Sequence, residues 1–564
     1  MMARSTKEIL LALFPCLSLS LFLLPVLLGG VATILPALGF WPALGGEGFT
    51  GRYLSRFLDH PAVRDAFLLT LTTGFAASFA ALFVALFLLA GLYGTKMWAF
   101  LHRILGFWLA IPHVSFTLGI LFLLSPSGWL MRLLASLLTG WTIPPNFSLV
   151  ADPWGLSLAF VLACKEIAFL LFMGIAALSR IEAGKLIWLG KSFGYGPTRI
   201  WLTIILPQLY PHLRLSFWAV LAYSLSVVDV ALIIGPSRPP TLAVLVHSWF
   251  IQGEASSFFL ASAGATSLCL LVLLAITLCY LAERLLARLG QTLLLGGGRS
   301  SLFDRVFAGA GPLLMALGLL FMAAFAGLAL LSVSRRWRFP DILPASYSWH
   351  YWYRGLLSAQ EPIVVTLLLG VLSALISLVL VVGCLEYERV LLQRGEGTRV
   401  RRSLWLLYLP FLLPQISFVF GLQMVAVFSG LDGSFVALLF SHVVFVLPYV
   451  FITLGQSYRS FDNRYFDLAL SLRGSWWRAL LQVKLPMLKK TIAFSLATGF
   501  SVSLVQYLPT LYVGAGRFPT ITTEAVNRVS GGDMRVTAVY ALLQLALPLL
   551  VYSAALFFSR QSKA

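Results

Sequence analysis

Charge is what this sequence has least of. Only 11% of its residues are Asp, Glu, Lys or Arg, with 21 acidic against 40 basic. Soluble domains carry roughly a quarter charged residues, so a water-soluble fold of this length is excluded. Cysteine is equally sparse. All five (Cys16, Cys164, Cys269, Cys279, Cys384) fall in apolar runs without ligand spacing, so they read as packing residues and exclude a thiolate metal site. The histidines, among them His113, His247 and His442, show no mutual spacing for a metal either. A phosphate-binding loop is missing. The stretch Gly184-Lys185-Leu186-Ile187-Trp188-Leu189-Gly190-Lys191-Ser192 imitates one, but five residues separate its glycines where four are required. No buried strand precedes it, and Leu, Ile and Trp occupy a loop whose backbone would have to wrap phosphate. The chain therefore offers no ATP site of its own. It also has no basic soluble segment to hold nucleic acid.

What it has in abundance is hydrophobic sequence: 59% of residues, at a mean hydropathy of +0.91. A bilayer core about 30 Å thick needs roughly 20 apolar residues per helix. Twelve stretches meet that requirement: 9–35, 66–92, 104–124, 156–178, 212–234, 258–282, 306–332, 362–385, 404–428, 434–456, 490–513 and 537–558. A glycine-rich seam, Gly296-Gly297-Gly298-Arg299-Ser300, lies near the midpoint. The expectation is an all-α polytopic membrane protein of about twelve transmembrane helices, built as two parallel six-helix repeats. Its parts are a first half at 1–290, a cytoplasmic linker at 291–303 and a second half at 304–564. The first stretch follows Arg4 and Lys7 as a signal peptide would, but it is too long for a signal core and reads as a retained anchor. Cys16 lacks the small residues that a lipid-attachment site wants before it. With both termini cytoplasmic, most Lys and Arg fall on cytoplasmic segments, as the positive-inside rule asks. The cluster Arg335-Arg336-Arg338 goes against that orientation. The +19 net charge is then mostly topology, together with attraction to anionic headgroups.

The halves echo one another. Residues Gly194-Tyr195-Gly196-Pro197 through Leu206-Pro207 to Gly235-Pro236-Ser237-Arg238-Pro239-Pro240-Thr241 recur 279 positions later without a gap. The second copy runs Arg473-Gly474-Ser475-Trp476 through Leu485-Pro486 to Gly514-Ala515-Gly516-Arg517-Phe518-Pro519-Thr520. Upstream, Pro112-His113-Val114-Ser115-Phe116 matches Pro414-Gln415-Ile416-Ser417-Phe418. Two matches in the same order point to a duplicated unit, an arrangement many transporters use.

The loop between the fourth and fifth stretches is chemically distinctive. It reads Asp467-Leu468-Ala469-Leu470-Ser471-Leu472-Arg473-Gly474, then Val483-Lys484-Leu485-Pro486. This resembles the "EAA" coupling loop of ATP-binding-cassette (ABC) importer permeases. That pattern has an acid, two alanines, a Gly six places after the acid, and Ile-x-Leu-Pro ending nineteen after it. Asp467 stands at the acid, Ala469 at the second alanine, Val483 at the Ile, and Leu485-Pro486 at the Leu-Pro. Arg473 occupies the Gly position, with Gly474 one place late. In the first half Gly194, Ile204 and Leu206-Pro207 match, with Arg199 between them, while Trp188 and Leu189 replace the acid and the first alanine. A short amphipathic helix there can dock in a partner's groove, and a Gly permits the turn into a second helix. The Pro sets the approach into the membrane. An ordinary basic interfacial loop is the alternative, but it leaves the shared spacing unexplained.

The resemblance implies a fused two-half permease, similar to those importing thiamine or ferric iron, with a thiamine-like organic cation favoured by Asp229 and the aromatic content. It implies two copies of a separate ABC ATPase, which bind the ATP and Mg²⁺, and a periplasmic or extracellular substrate-binding protein. It places the chain in a bacterial inner membrane, without a cofactor, metal or catalytic residue of its own. A twelve-helix secondary transporter is the rival class, and it would need no coupling loops.

Three further groups of residues are candidates. The element Gly235, Arg238, Pro240, Thr241, repeated as Gly514, Arg517, Pro519, Thr520, lies about 24 residues past Pro211. At roughly 1.5 Å per residue that distance crosses the bilayer, giving an outer gate or docking point, or simply a helix stop. Lys165, Glu166 and Asp229 are charges inside spans, which are costly and mark a solute path or helix–helix glue. Lys165 and Glu166 are adjacent and so point about 100° apart. Asp229 aligns with Leu508, beside Gln506 and Tyr507, so the halves differ at this depth. Trp349, Tyr351 and Trp352 read as interfacial anchors.

Overall fold

The computed structural model describes residues 6–294, 302–395 and 412–560. Among these, nine helices are long and apolar enough to cross a membrane: Leu10–Ala37, Pro61–Leu92, His113–Thr139, Leu156–Arg180, Ala255–Gly290, Asp304–Val333, Gln360–Gln393, Phe435–Arg459 and Met534–Phe558. The chain is an all-α polytopic membrane protein; its only strands among the described residues form two short hairpins. Three expected stretches have no counterpart among these nine helices. The stretches at 212–234 and 490–513 are each interrupted, as Leu206–Ser226 followed by Asp229–Ile234, and Lys489–Leu504 followed by Leu508–Val513. The stretch at 404–428 begins outside the described residues and is seen as the 13-residue helix Ile416–Phe428. The glycine-rich seam also lies outside them.

The third stretch shifts for a local reason. The helix Lys96–Ala110 stops before Pro112, and a new one begins at His113. Proline disfavours helical backbone in the residue before it, and Ile111 is extended, with ψ 122°.

Contacts divide the chain into two compact units. One comprises Ile34–Trp349 with Phe411–Ser417. In it the Leu156–Arg180 helix packs along Pro61–Leu92, and Leu206–Ser226 lies against both. The helix Ala310–Val333 joins this unit, with Phe321 stacked on Phe116 at 4.1 Å between ring centroids and met edge-on by Trp108. Arg132 is 5% exposed and clasps the following loop, donating to the carbonyls of Arg338 (2.6 Å) and Asp341 (3.1 Å).

The other unit comprises Met1–Thr33, His350–Pro410 and Phe418–Ala564. Here Gln360–Gln393, Phe435–Arg459 and Lys489–Leu504 pack against one another, and Met534–Arg560 packs on the last. Leu11 of the N-terminal helix enters a cluster with Phe466, Ala469, Trp476, Ala479 and Leu480. Contact units and sequence halves thus divide the chain differently. Each unit takes in the first apolar helix of the other half.

A half-buried carboxylate starts the Leu156–Arg180 helix. Asp152 accepts from the amides of Leu156 (2.7 Å) and Ser157 (2.9 Å) and from the Ser157 hydroxyl (2.7 Å). Burial alone would raise its pKa; these hydrogen bonds outweigh it and hold the carboxyl below the usual aspartate value. The charged form is therefore favoured by folding. Its stabilisation is present above the ordinary aspartate pKa of about 3.9 and is lost as pH falls through the lower folded value. We expect Asp152→Ala to cost about 1 kcal/mol at neutral pH, with the gap from the parent closing in acid. Thermal unfolding in detergent at several pH values measures this, and a gap constant with pH would contradict it.

Candidate functional site

The first candidate coupling element begins with the helix Ala183–Ser192. The chain turns at Gly194, whose φ of +75° is the left-handed region that glycine tolerates. Pro197 opens the short helix Pro197–Arg199, where the Thr198 amide donates to Asp304 at 2.9 Å. A π turn, Ile200–Ile205, then leads into Leu206-Pro207. Ile200 and Ile205 are buried inward, and Trp201 lies 6.2 Å from the ring of Tyr93. Trp188, Leu189, Phe193 and Leu202 are all exposed, Trp188 at 73%.

The second element has the same construction. Asp462 caps the helix Asn463–Arg473, and Gly474 ends it at φ +63°. The short helix Trp476–Ala479 and the π turn Leu480–Lys484 follow, then Leu485-Pro486. The turn glycine stands one place later than Gly194, so Arg473, at the position of Gly194, is the last residue of its helix. Ala469 faces inward beside Leu11 and Ala479, where only a small side chain lets the helix lie close. Leu468, Leu472, Trp477 and Leu481 are exposed, Leu472 at 78%. From the Ile204/Val483 position onward the two elements match: half-buried Ile204 and Val483, buried Ile205 and Lys484, half-buried Leu206 and Leu485, exposed Pro207 and Pro486. Both elements therefore present large apolar side chains in the open, the kind of surface that takes a partner's groove or a membrane surface.

The interrupted fifth stretches carry the polar residues. In the first, Val227 is extended (ψ 135°) and Asp229 begins the next short helix, which packs on His113–Leu124 and Leu156–Arg180. His113 Nε2 and Glu166 Oε1 are 3.1 Å apart, and the His113 ring leans on Tyr223 at 5.2 Å. Lys165 turns away from Glu166, as adjacent helical positions must. Its Nζ donates to the carbonyls of Ile111 (2.6 Å) and Trp108 (3.3 Å), which the break before Pro112 leaves without helical partners. Asp229 has no cation within ion-pair distance among the described residues.

In the second, Gln506 and Tyr507 occupy the break and both are buried. Gln506 Nε2 donates to the Val502 carbonyl at 3.2 Å, and its Oε1 is buried without a partner. His442 bridges the two helix pieces, Nδ1 to Ser503 Oγ at 2.8 Å and Nε2 to Thr510 Oγ1 at 3.0 Å. Sequence spacing could not single out His113 or His442, because their partners lie 53 to 68 residues away in the chain. Broken helices at membrane depth persist only where protein or a wet cavity satisfies the freed backbone.

The element repeated at Gly235 and Gly514 has matched anchoring. A Cβ on Gly235 or Gly514 would run into the carbonyl four residues earlier, Ala231 or Thr510. Arg238 and Arg517 are exposed, while Pro240 and Pro519 are half-buried. Thr241 and Thr520 begin the helices Leu242–Ile251 and Ile521–Asn527, Thr520 through a capping box with Thr523. The next amides are held from a distance: Leu242 donates to Thr70 Oγ1 at 2.8 Å, and Ile521 to Thr366 Oγ1 at 3.0 Å. Sequence reading named neither Thr70 nor Thr366, for an isolated Thr in an apolar run carries no signal.

Comparison with known proteins follows this geometry. The chain is 31% identical over 536 residues to the inner membrane ABC transporter permease protein YnjC of Escherichia coli, covering 94% of this chain and 92% of that one. It is 24% identical over 155 residues to the spermidine/putrescine transport system permease protein PotC of Escherichia coli, covering 28% of this chain and 59% of that protein. The PotC of Haemophilus influenzae is 23% identical over 205 residues, covering 36% of this chain and 78% of that protein. No family model matches.

Proposed function

The chain belongs to the family of ABC transporter permeases, and on that premise we propose that it is the fused, two-half membrane subunit of a binding-protein-dependent importer. The reading rests on the paired helix–glycine–helix elements ending in a π turn and Leu-Pro, each with exposed apolar anchors. Two copies of a separate ATPase would each take one element. ATP and Mg²⁺ are bound there, and this chain supplies the solute path and the lever. A substrate-binding protein delivers solute at the outer elements around Arg238 and Arg517. The location is a bacterial inner membrane with both termini cytoplasmic. Reporter fusions after Lys191 and Arg478 are then expected to read cytoplasmic, and fusions near Arg238 and Arg517 external. A split within either pair would overturn the parallel repeat.

For substrate we favour a small organic cation. Asp229 stands at a helix break, close enough to His113 to interact with it electrostatically, and the His113 ring lies 5.2 Å from that of Tyr223. A desolvated cation gains from both carboxylate and ring faces. A thiamine-like cation and a polyamine, the solute named for PotC, both fall in this class. Ferric iron is the second reading. Asp229→Asn is expected to lower uptake at least tenfold while the complex assembles and still hydrolyses ATP. Normal uptake by an assembled Asp229→Asn complex would remove this residue from the path.

A further inference from the structure

The two coupling elements are joined to their helical bundles by different chemistry. In the second, three charged side chains of the helix Gln360–Gln393 reach out at its end. Glu386, 1% exposed, takes the Lys484 ammonium at 2.5 Å and the Tyr458 hydroxyl at 2.6 Å on the same oxygen. Arg389 takes Asp467 at 2.6 Å and lies 4.2 Å over the ring of Phe466. Glu388 holds Arg459 through two hydrogen bonds, 2.8 and 3.0 Å. Lys484 itself sits 4.0 Å over the Tyr458 ring. One helix end therefore grips the helix Asn463–Arg473, the π turn Leu480–Lys484 and the end of the Phe435–Arg459 helix. In the first half the positions aligned with Asp467, Lys484 and Tyr458 are Trp188, Ile205 and Ser179. No carboxylate–ammonium pair can form among them.

We propose that Asp467 and Arg389 form an internal latch, with Glu386 and Lys484 as its buried seat, through which the second coupling element drives the helix Gln360–Gln393. Asp467, which stands where the family pattern has its acid, is then a positioning residue that faces this chain, and the partner is met by the exposed apolar anchors. Three points carry this. The Asp467 carboxylate is committed to Arg389. Arg389 is largely enclosed, its side chain 12% exposed, and Asp467 at 2.6 Å is its closest carboxylate, with Glu386 farther at 3.8 Å. And Tyr387 and Val390 of the same helix pack on the apolar cluster of Phe466, Ala469, Trp476, Ala479 and Leu480, so displacement of the element is passed to the helix that grips it.

This inference rests on the importer reading and adds an asymmetry to it: the second loop is tied by ion pairs to the helix Gln360–Gln393, whereas the first meets the Asp304 carboxylate through the Thr198 amide. The test uses the full complex with its ATPase and binding protein in proteoliposomes. Solute imported per ATP hydrolysed is measured for the parent, Asp467→Asn, Arg389→Gln and the exchanged pair Asp467→Arg with Arg389→Asp. The single variants are expected to assemble with the ATPase, hydrolyse ATP, and import severalfold less solute per ATP. The exchanged pair should recover a substantial part of that loss, which a purely structural lesion would not. Loss of the ATPase from Asp467→Asn would make Asp467 a docking residue and overturn the latch, as would unchanged coupling in both singles. If the parent complex itself shows no ATP-driven uptake, it is the importer reading that fails.

Discussion

Lys484→Met alone is expected to be among the most damaging single changes in the described chain. It leaves the Glu386 carboxylate buried, with Tyr458 as its remaining close donor and Arg389 no nearer than 3.8 Å. Breaking a buried pair on one side costs about 3–5 kcal/mol, far more than the pair itself is worth. Burial already pushes the Lys484 ammonium below its ordinary pKa, and Glu386 works against that shift. The pair is thus held by mutual need rather than by surplus attraction. Removing both charges, as Glu386→Gln with Lys484→Met, is expected to recover most of the loss, since apolar or neutral replacements of buried ion pairs are often tolerated. Thermal unfolding of the purified chain in detergent, together with yield, reads both variants. A Lys484→Met protein as stable as the parent would mean that the pair is not buried in the folded chain.

The second large effect concerns association. Leu472 and Trp188 are 78% and 73% exposed, so replacing either by Arg should leave the chain's own stability nearly unchanged. If they anchor the ATPase, each substitution removes an apolar contact at the centre of an interface. Interface anchors of this kind are worth about 2 kcal/mol or more, roughly thirtyfold in affinity. Each single variant should therefore retain the ATPase poorly on purification, and the double variant should abolish ATP-driven uptake. Retention of the ATPase by the double variant, with uptake intact, would rule out these helices as the docking surface.

Much of this was legible in the order of residues. Helical character, nine of the twelve expected apolar stretches, and the helix–glycine–helix–Leu-Pro construction of both candidate elements follow from run length, glycine placement and the Leu-Pro marker, all of which act over a few neighbouring residues. The site chemistry was only half legible. Lys165 and Glu166 could be named as costly charges, but whether each was paired depended on Ile111 and His113, more than 50 positions away. The same holds for Asp467, readable as a motif acid, whose partner Arg389 lies 78 positions upstream in an apolar helix.

Sequence alone thus determined what backbone hydrogen bonding and bilayer thickness impose: helices of given length, their stops, and a pattern repeated 279 positions apart. Tertiary structure decided where those helices exchange partners, so that each contact unit takes in the first helix of the other half. It also decided that the fifth stretches are broken at Val227-Val228 and at Gln506-Tyr507, where no glycine occupies either break. The physical reason is range. Local sterics and hydrophobic run length are properties of a segment, whereas the worth of a buried charge or an interrupted helix depends on what the rest of the fold brings against it.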